Sequence, residues 1–184
     1  MSDGVTAKRR PSSPEEWSAY LRVYSKIYLR DVDEEDPHVT DEQLETRWMG
    51  REPATEEAVA AAERRLGVRF PPSLRGFLLT SDGWLGVGGW VDRVYGCAEI
   101  GWMRESAAGS DFPRLYRDMD NPDYAELFER VVEVASGEDF WLLDPTQPGP
   151  DGEWPAYLFE PKYGELEEFP DFAALFDESR DDLD

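Results

Sequence analysis

Twenty residues, RRLGVRFPPSLRGFLLTSDG from Arg64 to Gly83, limit what this chain can fold into more than any other stretch. Gly67 after Leu66 suits the left-handed residue that ends many helices. Pro71 and Pro72 cannot continue that helix, yet can open another, where a missing amide donor costs little. Upstream, Thr55 can cap a helix whose first turn holds Glu56 and Glu57 at its positive end, with Val59, Ala62 and Leu66 on one face. Downstream, Leu74, Phe77 and Leu78 supply a second buried stripe, and Val68 and Phe70 return to the same core. The pattern predicts a helix, a tight turn and a helix, closing at Ser81-Asp82-Gly83.

The flanking sequence adds helices before this unit and strands after it. Ser13-Pro14-Glu15-Glu16 has the capping-box arrangement. Trp17, Tyr20, Leu21, Tyr24, Ile27 and Tyr28 follow at helical spacing as one aromatic face. Packing on the main core is the expectation for that face, with a partner groove as the alternative. Past Trp84 the glycines Gly86, Gly88 and Gly89 change the texture, and strands are expected at residues 90–95 and 98–103. Residues 109–124 read as irregular or briefly helical, with one further turn at 124–128. Strands at 131–135 and 140–143 form a hairpin through Ser136-Gly137-Glu138-Asp139. A third strand at 156–159 neighbours the region of Leu166 and Phe169, and a short helix closes the chain at 170–176.

At 184 residues, one domain is expected, burying roughly 70% of its unfolded surface. The order of elements gives an α+β fold, with an antiparallel-rich mixed sheet flanked by helices. The divisions are a flexible tail at 1–12, an N-terminal helical extension at 13–51 packed on the core, a main domain at 52–178, and an acidic tail at 179–184.

The formal net charge of −22 opposes binding to nucleic acid or to an anionic membrane. A basic protein is the complementary partner, and solubility alone is the plainer reading. With one cysteine, Cys97, and one histidine, His38, the chain can form neither an internal disulfide nor a zinc cluster from those residues. Cys97 lies among small and apolar residues as a buried thiol, and His38 reads as a loop residue. Carboxylate pairs at hydrolase spacing carry little meaning among 41 Asp and Glu. Asp118-Met119-Asp120-Asn121-Pro122-Asp123 begins a calcium-loop alternation without completing it, and Gly86-Val87-Gly88-Gly89 lacks the Lys-Ser/Thr of a phosphate loop. No metal, cofactor or catalytic residue is therefore assigned. The first residues lack an apolar signal core and no run of about 18 apolar residues occurs, so a cytoplasmic location is expected.

Candidate partner-binding residues are the acidic segments Asp31, Asp33, Glu34, Glu35 and Asp36, and Asp118, Asp120 and Asp123, with the acidic C-terminal segment from Asp177 also suited to steering. The first segment follows a helix C-terminus, where the macrodipole disfavours negative charge. Trp84, Trp90 and Trp154, in or beside glycine- and proline-rich loops, are the aromatic anchor candidates, with core packing as the alternative for each.

Thr55-Glu56-Glu57, Glu63, Leu66-Gly67, Phe70-Pro71, Phe77-Leu78 and the Ser-Asp-Gly turn together resemble the opening signature of the SUKH superfamily, the Smi/Knr group. Residues Gly137 to Asp144 are similar to its glycine-acid turn and aromatic strand, and Phe169 to Phe176 to its closing helix, so the resemblance covers about residues 52–178. Phe70 stands where leucine is more usual, Ser81-Asp82-Gly83-Trp84 replaces an Asn-Gly-Gly turn, and Gly76 weakens its helix by roughly 1 kcal/mol relative to Ala. The resemblance implies a mixed α/β fold used for binding proteins: many bacterial members look like immunity proteins that neutralise a toxin, often a nuclease, and a fungal member regulates cell-wall assembly. It brings no shared catalytic constellation. The expected function is a non-enzymatic immunity protein that binds a basic toxin, with a regulatory interaction module or a carboxylate-dependent hydrolase as alternatives.

Overall fold

The structure, a computed structural model, describes residues 10–33 and 36–183. Helix α1 (Pro14–Tyr28) starts on the expected capping box: Ser13 Oγ accepts from Glu16 N–H at 3.2 Å, and Glu16 Oε2 accepts from Ser13 N–H at 3.2 Å. Its aromatic face packs inward, with Trp17, Leu21 and Tyr24 buried in the main core. Helix α2 (Asp41–Thr46) has a capping box of its own, built by Thr40 and Gln43.

Helices α3 (Glu56–Leu66) and α4 (Pro72–Leu78) form the predicted unit. Gly67 ends α3 at φ 70°, and Val68 N–H reaches back to Glu63 O at 3.1 Å. This C-terminal wrap satisfies carbonyls that α3 would otherwise leave open. Glu63 also accepts from Phe70 N–H at 2.9 Å, fastening the turn between the helices.

A seven-stranded sheet follows among the described residues: β1 (Trp84–Leu85), β2 (Val91–Val94), β3 (Gly101–Trp102), β4 (Val132–Gly137), β5 (Phe140–Leu143), β6 (Ala156–Glu160) and β7 (Glu165–Phe169). Its order is β1-β2-β4-β5-β6-β7, with β3 also paired to β4. Every pairing is antiparallel, so the mixed sheet expected from sequence has no parallel component here. The expected 98–103 strand shrinks to two residues before a 3-10 turn at Met103–Glu105.

Two helical layers cover the sheet. On one face α1, α3, α4 and α7 (Phe172–Asp181) close the main core, which includes Trp141, Leu143 and Ala156. On the other, α5 (Phe112–Asp118) and α6 (Pro122–Arg130) enclose Phe140, Leu142 and Phe159. Alternate residues of β5 thus enter opposite cores, as the period of a strand requires. The 13–51 extension belongs to the main core, since Trp17 rings meet Phe77, Phe172 and Phe176 at centroid distances of 5.4–5.7 Å.

Three expectations need refinement. Of the two readings of 109–124 the briefly helical one holds: the region carries α5 and the start of α6, because Pro113 and Pro122 sit in first turns where proline starts a helix rather than breaking it. The acidic C-terminal tail is helical through Asp181, and Ser179 is buried. Of the N-terminal tail, residues 1–9 lie outside the described residues, while Pro11 is buried and Ser12 lies against α4.

That last contact explains Gly76. A Cβ there would lie 2.0 Å from Ser12 O, so the glycine admits the chain entering α1. Gly76→Ala should destabilise the protein by about 1–3 kcal/mol in denaturant unfolding, although Ala is the better helix former. An unchanged or increased stability would show that the 10–13 segment does not press on α4.

Candidate partner-binding cleft

The sheet, α7 and the loop between β1 and β2 enclose a cleft of about 260 Å³. Its floor is the sheet row Trp141, Leu158 and Glu167, which the β5–β6 and β6–β7 registers place side by side. Leu175, Glu178, Ser179 and Asp182 of α7, spaced i, i+3, i+4 and i+7, form one wall on a single helical face. Gly88, Gly89 and Trp90 of the β1–β2 loop complete the lining where that loop packs on α7.

The loop is held to α7 by close packing. A Cβ on Gly88 would sit 1.8 Å from Ser179 O. Gly88 N–H donates to Tyr24 Oη at 2.8 Å, and the Tyr24 hydroxyl hydrogen-bonds Ser179 Oγ at 2.8 Å. Burial pushes the Tyr24 hydroxyl up to about 12. Trp90 O accepts from Asp139 N–H at 3.0 Å, tying the loop to the β4–β5 turn, while the Trp90 side chain stands 67% exposed at the mouth.

Five carboxylates face this space: Asp139, Glu160, Glu167, Glu178 and Asp182. Among the described residues none of these side chains has a hydrogen bond or ion pair. Nearby cations are taken elsewhere. Arg180 pairs with Asp177 at 3.4 Å and lies over the Tyr20 ring, and Arg130 pairs with the buried Asp144 at 2.9 Å. Asp139 is 7% exposed. Burial first, then Glu160, Glu138 and Asp182, raise its carboxyl to about 6. The Glu178 carboxyl is also raised, by burial and then by Glu167, Asp181 and Asp182. Asp139, buried and without a cation, costs stability when charged, which points to a partner that neutralises it.

The sequence candidates fall in different places. Trp90 is the one aromatic candidate that reaches solvent. Trp84 is wholly buried among Tyr24, Trp48 and Phe176, and Trp154 is buried against Phe70, so neither can anchor a partner. The aromatic density of the core claimed both. Asp31 and Asp33 are exposed beyond α1, near the cleft end of α7, where Arg30 Nη2 donates to Leu183 O at 3.3 Å. Asp36 is half-buried and accepts from His38 N–H at 2.8 Å. Glu34 and Glu35 lie outside the described residues. Asp118, Asp120 and Asp123 are exposed on α5, α6 and their connection, across the sheet from the cleft. The two acidic segments therefore do not form one surface.

Sequence reasoning missed Asp139, Glu160 and Glu167 as site residues, whereas Glu178 and Asp182 fall in the C-terminal acidic segment it marked for steering. The available sign was Glu160 two residues after Leu158, a charge on the strand face otherwise turned to the core.

Other chemistry is sparse. Burial, then Asp82, pushes the Cys97 thiol up to about 12, away from the thiolate a nucleophile needs. A second cavity of about 330 Å³ holds Glu133, whose Oε1 accepts from Tyr95 Oη at 2.8 Å and whose buried Oε2 has no partner. Its arginines are engaged, Arg65 with the carbonyls of Cys97 and Ile100 and Arg93 with Glu99. Among the described residues no group of three or more His, Cys, Asp or Glu converges as a metal site, and no helix is long and apolar enough to cross a membrane.

The folded state holds the Asp139 proton up to about pH 6, whereas an unfolded carboxyl releases it near 3.8. Stability is therefore lost as pH rises from about 4 to 6, and the loss is complete above that window. Asp139→Asn should be more stable than the parent by on the order of 2 kcal/mol at pH 7.5, with the difference vanishing by pH 4. Denaturant unfolding at the two pH values reads this directly, and equal stabilities at pH 7.5 would contradict an uncompensated carboxylate.

Comparison with known proteins places this geometry in a family. No curated protein matches the sequence. The SMI1 / KNR4 family (SUKH-1) matches residues 53–178, from the residue before Ala54 to the body of α7. With the predicted α3–α4 unit, the β4–β5 hairpin and the closing helix all in place over that span, the chain belongs to the SMI1 / KNR4 family (SUKH-1).

Proposed function

We propose that this protein is a non-enzymatic protein-binding domain, an immunity protein that occludes a basic toxin domain in the cytoplasm. The observation that carries this reading is the acidic cleft, whose five carboxylates have no partner among the described residues, with the exposed Trp90 at its mouth. A nuclease suits the role of toxin, because a surface that binds phosphates must be cationic. The whole-chain charge of −22 complements such a surface and repels nucleic acid. The raised Cys97 thiol, pushed up by burial and by the Asp82 carboxylate, speaks against a cysteine nucleophile.

The acidic field speeds encounter, and the cleft supplies tight contact once the partner has docked. Steering of this kind raises association rates by roughly 10 to 1000-fold at low salt. Asp31, Asp33 and the carboxylates at the end of α7 contribute on the cleft side, whereas Asp118, Asp120 and Asp123 act through the long-range field.

Co-expression with a basic toxin domain encoded beside its own gene should restore growth, and continued killing would contradict immunity and favour a regulatory module. Between about 0.05 and 0.5 M salt the Debye length falls about threefold. The association rate of the purified pair should fall at least about tenfold over that range. A flat rate would remove steering from the mechanism.

A further inference from the structure

We propose that the cleft is a receptor for one arginine side chain of the partner, with the guanidinium against Asp139 and the Trp90 indole over its planar face. This rests on the reading that the partner is a basic protein, and it adds which of the partner's groups the cleft selects.

Asp139 carries the argument. It is more than nine-tenths buried, opens into the cleft, and has neither a hydrogen bond nor an ion pair on its side chain among the described residues. A buried carboxylate is retained in that condition only at a cost, and a cation delivered by a ligand relieves it. Four further carboxylates, on β6, β7 and α7, surround the same space, with no cation among the residues lining it. They do not converge as a metal site. The cation they fit is extended rather than a point.

The lining narrows the choice. Trp141 and Leu158 of the sheet and Leu175 of α7 set apolar lining beside the carboxylates. An aliphatic stem with a cationic head matches both parts. Trp90 then favours arginine over lysine, since guanidinium is planar, more weakly hydrated and able to stack on an indole while bonding a carboxylate through its fork. The bond from the Asp139 amide to the Trp90 carbonyl holds the two residues as neighbours at the cleft. The molecule already uses the same pairing internally, with Arg104 over Trp102 at 4.7 Å and Arg22 over Trp48 at 5.8 Å.

The groups facing Asp139 are Glu138 beside it, Glu160 on β6, and Asp182 at the end of α7, with Glu167 and Glu178 lining the same cleft, and all are acidic. Binding of a cation therefore strengthens as Asp139 loses its proton on going from pH 5 to 7.

The test is a nuclear magnetic resonance titration of the full chain with the peptide acetyl-Gly-Ser-Arg-Ser-Gly-amide and its lysine and citrulline counterparts. At pH 7.5 the arginine peptide should shift the amides of Gly88, Gly89, Asp139 and Ser179 and one indole signal, assigned to Trp90 by its loss in Trp90→Phe. The citrulline peptide should bind at least about tenfold more weakly and the lysine peptide several-fold more weakly. Asp139→Asn, expected to be no less stable than the parent at pH 7.5, should weaken the arginine peptide about tenfold and abolish the gain in affinity between pH 5 and 7. Equal binding of citrulline, shifts confined to the Asp31–Asp36 or Asp118–Asp123 segments, or saturation of the cleft by calcium alone below millimolar concentration would each overturn the proposal. Peptide binding in the cleft without any toxin neutralisation would sink the immunity reading and leave the arginine receptor standing. Full neutralisation by Asp139→Asn and Trp90→Phe would do the reverse.

Discussion

The contact between Gly88 and the last turn of α7 is the one on which the cleft depends. No side chain fits between Gly88 and Ser179 O, and the Tyr24 hydroxyl joins both partners through hydrogen bonds of 2.8 Å. Three segments distant in sequence meet there: α1, the β1–β2 loop and α7. Tyr24 lies in the extension that precedes the family match at residue 53, so residues outside the shared domain hold the wall of its cleft. The extension is thus part of the binding surface's frame as well as of the core. Trp90 and Asp139 follow from the same arrangement, because the loop fastened at Gly88 is fastened again by the bond from the Asp139 amide to Trp90 O.

The charge distribution runs against local stability. Glu178, Asp181 and Asp182 crowd the negative end of α7, and Glu178 and Asp182 are four residues apart on one face, an unfavourable like-charge pair. Asp31 and Asp33 follow the negative end of α1. Elsewhere the chain pairs its charges: Arg75 reaches Glu56 at 2.8 Å and Glu63 at 3.4 Å, and Arg130 neutralises the buried Asp144. The same sequence that satisfies Asp144 leaves Asp139 bare. Such a contrast within one fold marks the cleft as a place where binding outweighs stability.

Local grammar made much of the fold legible. The caps of α1 and α3, the Gly67 stop, the proline start of α4 and the β4–β5 hairpin are all short-range features, and each forms as its residues dictate. Helix α2 was hidden because it is six residues long and none of them is buried, leaving no apolar stripe to detect. The site was legible in Trp90 and in the acidic segment that carries Glu178 and Asp182. Asp139, Glu160 and Glu178 lie on a turn, a strand and a helix that are brought together by register and helix docking, which no local pattern records. Trp84 and Trp154 misled for a related reason: a loop position suggests exposure, yet the rings of Trp48, Phe70 and Phe176 reach those loops and bury them.

The cleft holds negative charge that nothing among the described residues neutralises. The carboxyl titration of Asp139, followed by carbon-13 nuclear magnetic resonance on the isolated protein, tests this most directly. A midpoint near pH 6 is the predicted result. A midpoint at or below about 4, the ordinary aspartate range, would mean that Asp139 is already hydrated or paired, and would contradict the account.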